Sequence, residues 1–190
     1  MQPFEPLSPI AGLIQKMQNK LLAWLAIREH GDLELRQKFL RSFEPQIAAL
    51  NEQDWENWQN SPQNAEAAAE ILSLGDWRSA ESWWQWVLQK AQAENWQSDE
   101  RYIESFVRQA MEKGQGPYKI RHTLQQRSSR QDLIDAYLEM DEADWIELAK
   151  AVLQKKYGDS SPQNRNEQAK RMRFLQSRGF SQNQIWQCFK

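Results

Sequence analysis

The sequence predicts an all-α protein: an elongated, curved array of three tandem three-helix repeats, with an extra tryptophan-rich helical insertion in the first. Three observations carry that fold class. Only 7 glycines occur in 190 residues, and Gln, Ala, Leu, Glu and Lys, all good helix formers, are abundant. Between Ser-Pro and Gly punctuation the apolar residues recur at helical spacing, and no stretch alternates as a strand does. Segments of the second half also repeat one another in register.

The elements follow in order. Ser8-Pro9, Ser61-Pro62 and Ser161-Pro162 each set a capping hydroxyl before a proline, whose missing N–H is harmless at the first helical position. Helices are therefore expected to begin near 9, 62 and 162. Gly31, Gly75, Gly114 and Gly179 each follow an expected helix end, where a left-handed cap favours glycine. Tyr102, Ile103, Phe106, Val107, Ala110 and Met111 share one broad helical face, as do Trp145, Leu148, Ala149, Val152 and Leu153. Asp141 with Asp144 resembles a capping pair, and Ser181 with Gln184 fits a capping box opening a last helix through Phe189.

The stretch "EKGQGPYKIRHTL" (112–124) tests a different idea. A phosphate-cradling loop needs Lys-Ser/Thr after its glycines, and a dinucleotide fingerprint needs a preceding strand. Neither is present. Gly114 ends one helix, Gln115-Gly116 turns a tight corner, and Pro117 opens the next with its fixed φ.

"LQQRSSRQDLIDAYL" (124–138) matches "LQSRGFSQNQIWQCF" (175–189) at a constant offset of 51, pairing Leu124 with Leu175, Arg127 with Arg178 and Ile134 with Ile185. A weaker third copy lies upstream, with Leu35 over Ile120, Phe39 over Leu124, Trp84 over Ile134 and Leu88 over Leu138. Its offsets of 85 and then 50 leave about 35 extra residues inside the first unit, roughly 42–76. The expected division is 1–97, with the acidic insertion, then 98–140 and 141–190. Units this small hold together by sharing a core with their neighbours. Seven of the 10 tryptophans fall between 42 and 98, and Trp83, Trp84 and Trp86 cannot all face one core stripe. Packing of the extra helices against the first unit is the expected reason; a partner-binding aromatic patch is the alternative.

Composition removes several function classes. With 40% hydrophobic and 11% aromatic residues the chain can build a core, against global disorder. No apolar run approaches the roughly 18 residues of a membrane span. The opening "MQPFEPLSPIAGLIQ" lacks the features of a signal peptide, so a cytoplasmic protein is expected, with no membrane contact. One cysteine and two distant histidines give neither an internal disulfide nor metal-ligand spacing, so no metal or other cofactor is expected. Cys188 and His122 lie far apart without a suitably spaced acid, and Asp99-Glu100 after Ser98 suits a helix N-terminus. No enzyme is expected.

Net charge is only −2, yet it is segregated. Residues 42–98 hold nine acids and two bases, 108–130 six bases and one acid, and 150–178 eight bases and two acids. Such separation points to a partner surface in the second half. The candidate contacts are Arg108, Lys113, Lys119, Arg121, Arg127 and Arg130, then Lys155, Lys156, Lys170, Arg171, Arg173 and Arg178, with Gly114, Gly116 and Pro117 as the structural corner.

Several of these segments together resemble the RecX family, the regulators that restrain the RecA recombinase. They are "AWLAIREHGDLELRQKF", "DERYIESFVRQAMEKGQGPYKIRHTL", "DWIELAKAVLQKKYG" and "KRMRFLQSRGFSQNQIWQCF", over roughly 20–40 and 81–190. Arg28-Glu29-His30, Asp99-Glu100-Arg101 and Gly116-Pro117 match family elements. The insertion has no counterpart in the family pattern, and the first unit shows "FLRSFEP" where the third has Arg-Gly-Phe. The resemblance implies three three-helix repeats and a non-enzymatic regulator; a monomer is expected. It would lie in the groove of the RecA–single-stranded-DNA filament and suppress strand exchange, ATP hydrolysis and co-protease activity. The acidic front half implies weak binding to single-stranded DNA alone and stronger binding to the RecA-coated filament. A nucleic-acid-binding helical module, or a protein-binding scaffold independent of RecA, are the alternatives.

Overall fold

The computed structural model describes residues 8–190, so residues 1–7 of the opening stretch read for a targeting signal lie outside the described residues. Among these are eleven helices and no strand, in two compact units that divide at Ser98 and Asp99. The first unit holds α1 (Pro9–Leu25), α2 (Asp32–Ala48), α3 (Glu52–Gln59), α4 (Ala65–Leu74) and α5 (Ala80–Ala93). The second holds α6 (Asp99–Glu112), α7 (Pro117–Gln125), α8 (Gln131–Leu138), α9 (Glu142–Tyr157), α10 (Arg165–Arg178) and α11 (Gln182–Gln187).

Local chemistry sets several of these ends as expected. The Ser8 hydroxyl accepts from the Ala11 N–H and Pro9 opens α1. Ser181 and Gln184 form a complete reciprocal capping box on α11. Gly114 and Gly179 adopt positive φ after α6 and α10.

Four expectations are corrected. The two tetrapeptides Ser61-Pro62-Gln63-Asn64 and Ser161-Pro162-Gln163-Asn164 do not begin helices; α4 and α10 start afterwards, at Ala65 and Arg165. At 61–64 a turn closed by the Asn64 N–H on the Ser61 carbonyl at 2.9 Å takes the place of a helix start. Asn164 caps α10 by accepting from the Glu167 N–H at 2.9 Å. Gly31 is the N-cap of α2 at φ −76°, not a left-handed terminus. Gly75 has positive φ (144°) but lies outside the left-handed helical well. "FLRSFEP", which stands where the third unit has its Arg-Gly-Phe corner, forms no corner: α2 continues through it with Pro45 inside the helix.

The first unit has one core, built from Leu13, Met17 and Leu21 of α1, Leu35, Phe39 and Phe43 of α2, and the tryptophans. The inserted helices are a wall of that core: α3 packs on α1 and α4 on α5. Trp55 stacks on Trp77 at 5.0 Å, and the Trp83 indole N–H donates to the Trp77 carbonyl at 2.6 Å. Trp55, Trp58, Trp77, Trp83, Trp84 and Trp86 are all buried, so these six supply packing and no outward aromatic patch. The Arg28-Glu29-His30 segment closes the turn into α2. The buried His30 ring donates from Nδ1 to the Arg28 carbonyl at 2.8 Å and accepts at Nε2 from Lys38 at 2.6 Å.

The second unit's core repeats itself. Ile120, Leu124 and Ile134 are wholly buried, and so are the register mates of the last two, Leu175 and Ile185. The positions paired in the sequence are therefore the inward positions of two similar three-helix groups, α6–α8 and α9–α11.

Candidate functional site

The two groups of the second unit lock together at the glycine corner. At the start of α7 the Gly116 N–H donates to the Arg178 carbonyl at 2.8 Å, and the Tyr118 N–H to the Gly179 carbonyl at 3.0 Å. Unsatisfied donors at one helix start thus meet unsatisfied acceptors at another helix end. Gly116 sits at φ −88°, a conformation open to any residue; its demand is space. A Cβ there would lie 2.6 Å from the Gly179 carbonyl carbon and oxygen and the Phe180 nitrogen. Gly179 at φ +91° would set its own Cβ against Lys119. The tight corner at Gly116 is thus imposed by this close backbone approach, not by its φ.

Beside the junction the helix ends carry cations. Lys113 follows α6, Lys155 and Lys156 lie in the last turn of α9, and Arg178 ends α10. Positive charge at helix C-termini is favoured by the dipole. All four line one cleft of about 460 Å³, whose floor includes Met111, Leu148, Val152 and Phe174. The Arg178 guanidinium donates to the Lys113 carbonyl at 2.9 Å and lies 5.2 Å from the Phe174 ring centre. Lys156 Nζ lies 3.8 Å from the same centre, and Tyr157 meets Phe174 edge-on at 5.8 Å.

The other predicted contacts separate into classes. Arg108, Lys119, Lys170 and Arg173 are exposed. Arg121 pairs with Asp135 and Arg130 with Asp132, exposed pairs of a type worth about 0–1 kcal/mol. Arg127 lies over the Phe106 ring at 5.7 Å. Arg171 is different: it is 5% exposed, donates to the Ser160 carbonyl at 2.6 Å and to Glu167 at 2.5 Å, and lies over Tyr157. A guanidinium so enclosed holds the loop before α10 and is no outward contact.

Asp99 at the start of α6 is structural too. Asp99 is buried in the first turn of α6 and accepts from the Ser128 hydroxyl at 2.5 Å. Burial pushes the Cys188 thiol above its ordinary pKa, and its sulfur lies 3.2 Å from the Gln184 carbonyl. Among the described residues no group of three or more His, Cys, Asp and Glu side chains is placed to hold a metal ion. No helix among them is long and apolar enough to cross a membrane. Sequence reasoning did not find the cleft, although Lys155-Lys156 and Arg178 closing their helices were visible; the convergence of three chain segments was not.

Two family models match the second unit. One, described as the second three-helix domain of RecX, covers residues 98–138; the other, the third three-helix domain of RecX, covers 142–189. The second unit is built of two RecX-family domains. "Regulatory protein RecX" of Halorhodospira halophila is 38% identical over 99 residues, 52% of this chain and 62% of that protein. That of Vibrio campbellii is 40% identical over 91 residues, 48% of this chain and 59% of its own length. Over these stretches the match spans about 60% of the relatives' length. A Salmonella newport RecX is 27% identical over 177 residues, 92% of either chain. The crystal structure of RecX from Lactobacillus salivarius superposes with a TM-score of 0.61 at 21% identity, covering 94% of this chain and 95% of that one, a likeness of fold. The RecX domain matches fall on α6–α8 and on α9–α11.

Proposed function

We propose that the chain is an inhibitory regulator of the RecA recombinase. It binds the RecA–single-stranded-DNA filament as a monomer in the cytoplasm and suppresses strand exchange, ATP hydrolysis and co-protease activity. It does so without chemistry of its own. One observation carries this: a chain whose second unit matches RecX domains concentrates outward-facing cations there, with Lys113, Lys155, Lys156 and Arg178 lining one cleft. The domain matches supply the class of partner, and the cations supply a means of recognising an acidic one. The reading divides the chain into units at 1–97, 98–140 and 141–190. It places filament contacts on Arg108, Lys113, Lys119, Lys155, Lys156, Lys170, Arg173 and Arg178, with Arg121, Arg127 and Arg130 able to exchange local partners for external ones.

The acidic first half opposes free DNA, so attraction to naked strands is weak and decays with salt. The test is RecA ATPase and strand exchange with and without the protein, beside a DNA-shift assay lacking RecA. Both RecA activities are expected to fall while naked DNA stays largely unbound at physiological salt. RecA turnover unaffected at saturating protein would sink the reading, and tight binding to DNA alone would replace it with the RecA-independent module.

A further inference from the structure

We propose that the cleft closed by the ends of α6, α9 and α10 is a docking site for an acidic peptide segment bearing an apolar side chain. It rests on the proposed function in taking a protein of the filament as partner, and it refines which chemistry that surface reads.

The cleft has two chemically distinct parts. Its rim carries Lys113, Lys155, Lys156 and Arg178 against the single acid Glu112. Its floor is apolar and includes Met111, Leu148, Val152 and Phe174. Its volume of about 460 Å³ is that of a site that receives a side chain and its flanks, within the usual ligand-pocket range of about 300–1,000 Å³. A phosphate backbone satisfies the rim and leaves the floor wet. A nucleobase would use an aromatic ring, but Phe174 already has Lys156 at 3.8 Å, Arg178 at 5.2 Å and Tyr157 edge-on. Stacking there would have to displace cations that interact with the ring. A carboxylate on each side of an apolar anchor satisfies both parts at once: the anchor enters over Val152 and Leu148, and the carboxylates meet the rim. Met111 lends the floor an adaptable shape.

The site is also preorganised. Arg178 is held by the Lys113 carbonyl, and Gly114, at φ +70°, packs so closely that a Cβ would lie 2.6 Å from Val152 Cγ2. The floor and one rim cation are thus fixed before any partner arrives, which lowers the ordering cost of binding.

The experiment uses the full-length protein and fluorescence anisotropy at physiological salt. Three labelled probes are compared: a peptide with glutamates flanking a leucine, its glutamine counterpart, and an oligothymidylate of equal charge. The glutamate peptide is expected to bind at least about tenfold more tightly than either control, a difference near 1.4 kcal/mol. Lys155→Glu with Lys156→Glu, and separately Ala151→Glu at the exposed cleft wall, should each remove that preference; Lys16→Glu on α1 should not. Circular dichroism confirms that each variant is folded. Equal affinity for the oligonucleotide, binding that survives both cleft variants, or no peptide binding overturns the proposal. RecA inhibition measured on the same samples separates the readings. A protein that inhibits RecA but ignores the peptide loses the cleft assignment alone; one that binds the peptide but leaves RecA untouched loses the filament reading alone.

Discussion

At the scale of single residues, two glycines decide whether the halves of the second unit can meet. Gly116 needs no special φ, so alanine is permitted by its backbone, yet the new methyl would lie 2.6 Å from backbone atoms of Gly179 and Phe180. Backbone on both sides cannot rotate away, so Gly116→Ala should lower the unfolding free energy by about 1–3 kcal/mol, as overpacking does. Urea unfolding would show it as a lower midpoint at constant slope. Gly179→Ala should cost more, because its left-handed φ adds roughly 1–2 kcal/mol to a clash with Lys119. Since both variants open the same contact, the double variant should cost less than the sum. A Gly116→Ala protein as stable as its parent would show that the junction yields. His30 offers a second residue-scale test. Burial, with the Arg28 and Lys38 charges, holds its pKa below the ordinary 6.5, outweighing the Arg28 carbonyl and Glu34. The unfolded chain therefore takes up a proton at a pH where the native ring does not, so this contribution is complete above pH 6.5 and is lost as pH falls towards the native value. Stability measured from about pH 7 to about pH 5 should decline, and His30→Gln should flatten that decline. The Glu34 carboxyl is pushed up by burial but held below its ordinary value of 4.5 overall by Arg28, His30 and Lys38, so its own loss comes at more acid pH.

At the scale of helices, α5 shows what the sequence disclosed and what it concealed. Three tryptophans at positions 83, 84 and 86 exceed one apolar stripe, and that excess already implied a second layer over the helix. The structure supplies it: α2 covers one side and α4 of the insertion the other. Trp83→Phe removes the hydrogen bond to the Trp77 carbonyl and some volume, and should destabilise the first unit by about 1–3 kcal/mol. Tryptophan fluorescence during unfolding would report it; an unchanged midpoint would mean that the Trp83–Trp77 hydrogen bond adds nothing to the unit's stability. Register was legible for the same physical reason. Leu124, Leu175, Ile134 and Ile185 are inward in both groups, and inward positions tolerate few residue types. The capping box at Ser181 was legible because its partners lie three residues apart. The Ser-Pro signals misled because Ser-Pro also opens a turn, as at 61–64, and because Asn164, not Ser161, caps α10. The space required at Gly116 was hidden because the atoms that impose it belong to Gly179 and Phe180, in another helix pair.

At the scale of the whole molecule, the two units have separate buried cores and opposite electrostatic characters. The first contains the segment of nine acids and two bases over 42–98, while the two basic segments, 108–130 and 150–178, both fall in the second. Charge alone could not show which cations point outward: Arg171 belongs to the basic segment and is enclosed, whereas Lys170 and Arg173 beside it are exposed. If the second unit grips the filament, reversing exposed charge there should matter far more than reversing it on α1. Lys170→Glu with Arg173→Glu is expected to raise the concentration for half-inhibition of RecA ATPase by about tenfold, a loss near 1.4 kcal/mol. Lys16→Glu with Lys20→Glu changes the net charge of the chain equally and should leave inhibition within about twofold. Equal losses from the two pairs would mean that the filament responds to net charge alone, because long-range attraction depends on the summed charge while a docked contact depends on its place. Repeating both titrations at higher salt sharpens the distinction: screening erases a net-charge effect over a Debye length of about 8 Å at 0.15 M, whereas the local deficit at Lys170 and Arg173 persists.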